Sequence, residues 1–177
     1  MLDLDAEQAG IGASGEAARA ARFVSVAGAF CHWCENGLNE PTSVALVREA
    51  RMQIATLHAA ALRLPEMDEI EAEDPPDAPE PPKRDAALAS ALANRFARLP
   101  VGYYRVFFNP GDLQDEEPCV GDLQDDLLEM HDDVRKGLWL HGQGHARAAL
   151  REWRLLFDAH WGRHAVNALY ALQGREC

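Results

Sequence analysis

The sequence is poor in the features that mark secreted, membrane-spanning and nucleic-acid-binding proteins. Its 177 residues contain only four cysteines, and a chain of this length can bury a core without a disulfide scaffold. Its apolar stretches are too interrupted to span a membrane, and residues 1–15 lack both the basic start and the apolar run of a secretory signal. We therefore expect a single domain over residues 1–177, cytoplasmic, with reduced thiols and no role at a membrane.

Positive charge is also scarce. Lysine and arginine total 17 against 29 aspartates and glutamates, which gives a formal net charge of −12. This balance argues against a nucleic-acid partner, because phosphate binding requires clustered cations. Residues 66–85 and 112–133 carry net charges of −7 and −10, whereas residues 135–177 carry +4. The contrast favours an acidic helix packed near a basic one; an acidic face for a cationic partner is the alternative.

Proline is concentrated in one place. Five of the ten prolines fall between residues 75 and 82. Proline lacks an amide donor and restricts the preceding residue to extended backbone, so this stretch cannot continue a helix. We predict a flexible, acidic, proline-rich loop over residues 71–84 within the single domain.

Helical periodicity covers most of the remaining chain and predicts an all-α bundle of about five helices. Polar residues that can accept a hydrogen bond from the first helical turn precede three of them, namely Thr42 or Ser43, Asp85 and Asp122. The predicted limits of the helices are about residues 16–36, 43–64, 86–99, 123–142 and 145–173.

One segment has a different pattern. Residues 102–110 (GYYRVFFNP) are rich in aromatic and β-branched side chains, which favours extended backbone. We expect a strand-like connector that lies over the bundle, since one short segment cannot form a sheet alone. Tyr103 and Tyr104 here, with Trp153 and Trp161 of the fifth helix, are candidates to line a pocket; covering the core is the alternative role for the connector.

The first helix ends with the motif Cys31-His32-Trp33-Cys34. This spacing occurs in redox pairs and in zinc half-sites. A reactive pair is expected at a helix N-terminus, whereas this pair falls late in its helix, and the chain has no second pair of this spacing. The pattern therefore favours two small buried hydrophobic residues.

Four carboxylates form one stripe of the fourth helix, Asp122, Asp126, Glu129 and Asp133. Such acids can hold Mg²⁺ in helical enzymes, but those sites draw acids from two helices, and no second acidic pair is evident. The spacing favours a solvated face, with Asp126 and Asp133 at its boundary.

His160 and His164 lie one helical turn apart in the fifth helix, with His164 in the middle of an apolar stripe. Together with Asp126 and Asp133 they are candidates for a buried polar network that fixes the register of the two helices. The alternative is a divalent metal site built from these four residues and Glu129. Gly162 between the histidines is expected to permit close approach of another backbone, since a mid-helix glycine otherwise costs about 1 kcal/mol.

Several of these segments together resemble a bacterial family classified as a domain of unknown function. The resemblance covers about residues 103–172 and rests on an aromatic segment ending at Pro110, a helix bearing Asp125 and Asp126, and the pattern HWGxHAxxAL from His160 to Leu169. It implies an all-helical fold, and it implies no particular activity, substrate or cofactor.

The sequence contains no nucleotide-binding loop and no nucleophile beside a base. We therefore predict a non-catalytic binding or regulatory protein that needs no cofactor and whose partner is a protein or a small molecule. The alternative is a metal-binding bundle or a metal-dependent hydrolase with its site between the fourth and fifth helices. Whether the protein is an enzyme stays open at this point.

Overall fold

The structure is a computed structural model that describes residues 4–68, 70, 79–114 and 117–174, with side chains from residue 18 onward. It confirms the predicted all-α class. Its elements, in chain order, are α1 (Leu4–Asn36), α2 (Ser43–Ala61), α3 (Ala86–Phe96), β1 (Tyr103–Val106), β2 (Cys119–Asp122), α4 (Leu123–Gly142), α5 (Ala146–Leu156), a π-helical turn (Phe157–Trp161) and α6 (Gly162–Gln173). None of these helices is long and apolar enough to cross a membrane.

The predicted caps begin three of the helices. The side chains of Thr42, Asp85 and Asp122 accept hydrogen bonds from the backbone amides of Ala45, Leu88 and Gln124, respectively. Each cap satisfies one of the amides that a helix N-terminus leaves without a partner.

The core lies where α4 meets α1, α5 and α6, while α2 packs against α1 and α6. Trp153 of α5 is fully buried, and its indole Nε1 donates a hydrogen bond to the Val134 carbonyl 2.9 Å away. A Cβ at Gly137 of α4 would lie 2.2 Å from that Nε1 atom. Glycine at this position therefore lets α4 and α5 approach closely over a large aromatic side chain.

The predictions about the start of the first helix and about the extended segment are wrong. The first helix begins at Leu4 rather than near residue 16. The extended segment has a partner: β1 pairs antiparallel with β2, with Tyr103 opposite Asp122 and Val106 opposite Cys119. Pairing satisfies backbone groups of an extended segment that would otherwise need water, and the hairpin leads directly into α4.

The predicted proline-rich loop is described only in part, because residues 71–78 lie outside the described residues. Its last residue is held against α4. The Arg84 guanidinium donates to the Leu128 carbonyl at 3.2 Å and lies 2.9 Å from the Asp132 carboxylate. The C-terminal end of this segment is therefore anchored.

The predicted fifth helix is divided by the π-helical turn. The Gly162 amide donates to the carbonyl of Phe157, five residues earlier, instead of four. A Cβ at Gly162 would lie 2.3 Å from that carbonyl oxygen. The close backbone approach expected at this glycine is thus to the widened turn of its own helix rather than to another element.

Candidate functional site

The paired cysteines lie inside the core. Cys34 is fully buried and Cys31 nearly so, and both are free thiols. Burial raises the pKa of the Cys31 thiol to about 12 and raises that of Cys34 as well. Neither thiol forms a reactive thiolate near neutral pH, so the structure confirms the prediction of two small buried hydrophobic residues.

The predicted acids of α4 meet His160 of the π-helical turn and His164 of α6 in two pairs, which we call the acid–imidazole seam. Asp126 Oδ1 accepts a hydrogen bond from His164 Nδ1 at 2.8 Å, and Asp133 Oδ2 lies 2.6 Å from His160 Nδ1. The carboxylates are only 5% and 2% exposed. The expectation that Asp126 and Asp133 sit at the boundary of a solvated face is therefore wrong, because the imidazoles of His164 and His160 cover them.

A tyrosine of the hairpin completes the first pair. The Tyr104 hydroxyl donates to Asp126 Oδ2 at 2.5 Å, so this buried carboxylate accepts one hydrogen bond at each oxygen. Burial, followed by the hydrogen bond to Asp126, raises the pKa of the Tyr104 hydroxyl. Tyr104 therefore stays a neutral donor. Sequence patterns did not assign it this role, because the contact depends on the register of the hairpin.

The second pair is more accessible and more highly charged. His160 is 41% exposed, and its Nε2 lies 3.5 Å from Glu129. Asp133 also accepts a hydrogen bond from Lys136 Nζ at 2.8 Å. These contacts form an ion-pair network on the outside of the seam.

His164 borders an open cavity of about 690 Å³ between the hairpin, α4 and the last helix. Its Nδ1 is occupied by Asp126, which leaves Nε2 on the opposite edge of the ring. The hydrogen bond to Asp126 raises the pKa of His164 although burial opposes it, and the charges of Asp126, Glu129 and Asp125 add to the rise. His164 is therefore more readily protonated than an ordinary histidine, and its Nε2–H can then donate to a ligand.

Three phenylalanines contribute to the other walls of this cavity. Phe107 and Phe108, which follow β1 in the chain, and Phe157 of the π-helical turn all border it. The Arg163 guanidinium lies 4.7 Å from the centre of the Phe108 ring, a cation–π contact, and also borders the cavity. The site combines an apolar body with donors from His164 and Arg163.

Only one of the four aromatic residues predicted to line a pocket does so. Tyr104 borders the cavity, whereas Tyr103 is 74% exposed and is not among the residues that line it. Trp153 and Trp161 are completely buried in the core, so their assignment to a pocket is wrong. Large apolar side chains at the centre of a helical stripe are buried in the core, where removing their surface from water stabilises the fold most.

One buried histidine of α4 forms a polar contact that the sequence pattern did not predict. His131 is fully buried, and its Nε2 lies 3.0 Å from Glu35 Oε1 at the end of α1. This contact ties α4 to α1, away from the seam. Over the ranges that the structure describes, no group of three or more His, Cys, Asp or Glu side chains is arranged to hold a metal ion.

Comparisons with known proteins support the fold. The crystal structure of protein BF1032 from Bacteroides fragilis is similar at a TM-score of 0.67 and 19% sequence identity, over 88% of this chain and 90% of that chain. A search of curated proteins found no match. Residues 15–175 match the family model described as domain of unknown function DUF5063, and the chain therefore belongs to this family.

Proposed function

We propose that this protein binds a small molecule with an aromatic or other apolar body and a hydrogen-bond-accepting head, in the cavity bordered by His164. One observation carries the proposal: the buried Asp126 carboxylate is held by Tyr104 and fixes the His164 imidazole on the cavity wall. A donor positioned in this way needs little reorganisation when a ligand arrives.

The free thiols Cys31, Cys34 and Cys119 support a reducing compartment such as the cytoplasm.

The polar groups that remain available in the cavity favour an acceptor as the ligand's head. Three of the four acids on the wall are occupied: Asp126 is held by Tyr104 and His164, Asp122 caps α4, and Asp158 pairs with Arg154 at 2.7 Å. The fourth, Asp125, lies in the first turn of α4. In contrast, the described residues offer no hydrogen-bond acceptor for His164 Nε2. A carboxylate or carbonyl oxygen would accept from this nitrogen, and a carboxylate would gain from the charge on the imidazolium.

The size and walls of the cavity favour a small molecule over a peptide. Its volume of about 690 Å³ falls within the usual range for such ligands, roughly 300–1,000 Å³. Phe107, Phe108 and Phe157 supply flat apolar surface, and Phe157 belongs to a π-helical turn, a local structure that is frequent at functional sites. An aromatic carboxylate fits both the walls and the donors.

This proposal predicts selective binding of 2-naphthoate in isothermal titration calorimetry. We expect 2-naphthoate to bind at least tenfold more tightly than 2-naphthylmethylammonium, which has the same body but carries donors where naphthoate carries acceptors. His164→Gln should weaken naphthoate binding about tenfold, equivalent to about 1.4 kcal/mol, because a charge-assisted hydrogen bond is lost.

His160→Gln is the matched control, since His160 lies one turn earlier in the same seam but does not border the cavity. It should leave the naphthoate affinity unchanged, and near-UV circular dichroism would verify that both variants are folded. Tighter binding of the ammonium compound, or equal affinities of the wild type and His164→Gln, would contradict the proposal.

A further inference from the structure

A second concavity lies between α1 and α2 and shares no lining residue with the His164 cavity. Its volume is about 550 Å³. The floor is apolar and consists of Phe23 and Val26 of α1 with small alanines of α2. Phe23 is almost fully buried and packs edge-on against the Trp153 indole, with 4.9 Å between the ring centres. We call this concavity the arginine-rimmed groove.

The rim is basic in a strongly acidic protein. Arg19, Arg22 and Arg63 all border the groove, and its lining includes no aspartate or glutamate among the side chains that the structure describes. The whole chain has a net charge of −12, so a rim that carries the cations of Arg22 and Arg63 has the opposite sign to the chain as a whole. Arg63 donates one hydrogen bond at 2.6 Å to the Ala59 carbonyl, which fixes its stem at the groove while other guanidinium donors remain.

From this arrangement we propose that the arginine-rimmed groove binds a small anionic amphiphile, a molecule with a carboxylate-type head and an unbranched apolar tail. The tail contacts Phe23, Val26 and the alanines, and the head pairs with Arg22 and Arg63 at the rim. A free molecule is favoured over a membrane surface because the apolar side chains form the floor of a concavity instead of protruding from it.

Decanoate is a suitable probe, with decylammonium as the cation of matched tail length. We expect decanoate to bind the full-length protein, by calorimetry below its micellar concentration, at least tenfold more tightly than decylammonium. The double variant Arg22→Glu/Arg63→Glu should reverse this preference, and Ala55→Trp should weaken both probes more than tenfold by filling the groove. Ala55 is exposed, so the larger side chain does not disturb the core.

Controls separate this groove from the other cavity and from membrane binding. Arg105→Glu, an exposed charge change on β1, and His164→Gln should both leave decanoate binding unchanged. The protein should also fail to sediment with phosphatidylglycerol vesicles. Any of three results would overturn the proposal. These are equal affinity of the protein for the two probes, decanoate binding by Ala55→Trp as tight as that of the wild type, and vesicle binding that depends on Arg22 and Arg63.

Discussion

His164→Ala is expected to lower the free energy of unfolding by about 3 kcal/mol, because it leaves the buried Asp126 carboxylate with a single hydrogen-bond partner. Removing one member of a buried ion pair destabilises the protein by more than the intact pair stabilises it, because the remaining buried charge is left without a partner charge. The lost packing of the ring adds to this cost. Urea unfolding followed by far-UV circular dichroism measures the difference.

The control is His160→Ala, one turn earlier. Asp133 is also buried, but it would keep its hydrogen bond to the Lys136 ammonium, whose charge still compensates the carboxylate. The lost His160 side chain is already partly exposed, so we expect a loss of about 1 kcal/mol or less. A loss for His160→Ala as large as that for His164→Ala would contradict the importance assigned to Asp126.

The pH dependence of the His164→Ala effect has a definite sign. The folded-state pKa of His164 is raised above its ordinary value of 6.5. The stability that this shift contributes is fully present below pH 6.5 and is lost as the pH rises through the raised value. The difference in the free energy of unfolding between the wild type and His164→Ala should therefore be largest below pH 6.5 and smaller at alkaline pH.

A chelator distinguishes a purely structural role of His164 from the alternative that the seam is a divalent metal site. If the seam is a polar network, EDTA leaves the unfolding midpoint of the wild type unchanged. A chelated wild type as unstable as His164→Ala, with no further effect of EDTA on the variant, would favour a metal site instead.

Gly162→Ala is expected to lower the free energy of unfolding by about 2 kcal/mol. The added Cβ would lie 2.3 Å from the Phe157 carbonyl oxygen and 3.1 Å from the Phe157 ring, so the π-helical turn must shift. Overpacking of this kind costs about 1–3 kcal/mol, which exceeds the gain of up to about 1 kcal/mol from replacing glycine in a helix. The displaced turn should also weaken binding of 2-naphthoate, because Phe157 belongs to this turn, His164 follows it, and both border the cavity.

Gly28→Ala provides the matched control in α1, where an added Cβ meets nothing within 4 Å. It should stabilise the protein by up to about 1 kcal/mol. Urea unfolding of the two variants in parallel tests the difference, and a Gly162→Ala protein more stable than the wild type would show that the π-helical turn tolerates a side chain.

Interactions between residues close together in the sequence explain most of the fold that could be predicted. Thr42, Asp85 and Asp122 act through their own neighbouring amides, so their capping role is visible in the sequence. The π-helical turn was not predictable, because a single widened turn leaves the apolar spacing on either side almost unchanged. The strand at residues 119–122 was missed because it is short and follows a stretch dominated by acids and loops.

The contacts of the site could be predicted only where helical spacing indicates both partners. The spacing of His160 and His164, with acids on a neighbouring helix, indicates a polar network, and each histidine contacts one of these acids. The role of Tyr104 depends on the hairpin register, and the burial of Asp126 depends on what covers it. Both are long-range properties that helical periodicity does not encode.

The central claim is that Asp126 holds His164 ready for an acceptor in the cavity, and NMR titration of the His164 imidazole tests it most directly. The signal is assigned by its absence in His164→Gln, and its pKa is measured in the free protein and in the protein saturated with 2-naphthoate. We predict a pKa above 6.5 in the free protein and a further rise in the complex, because a carboxylate on Nε2 favours the protonated ring. A pKa at or below 6.5 in the free protein, or one that the bound carboxylate leaves unchanged, would contradict this account.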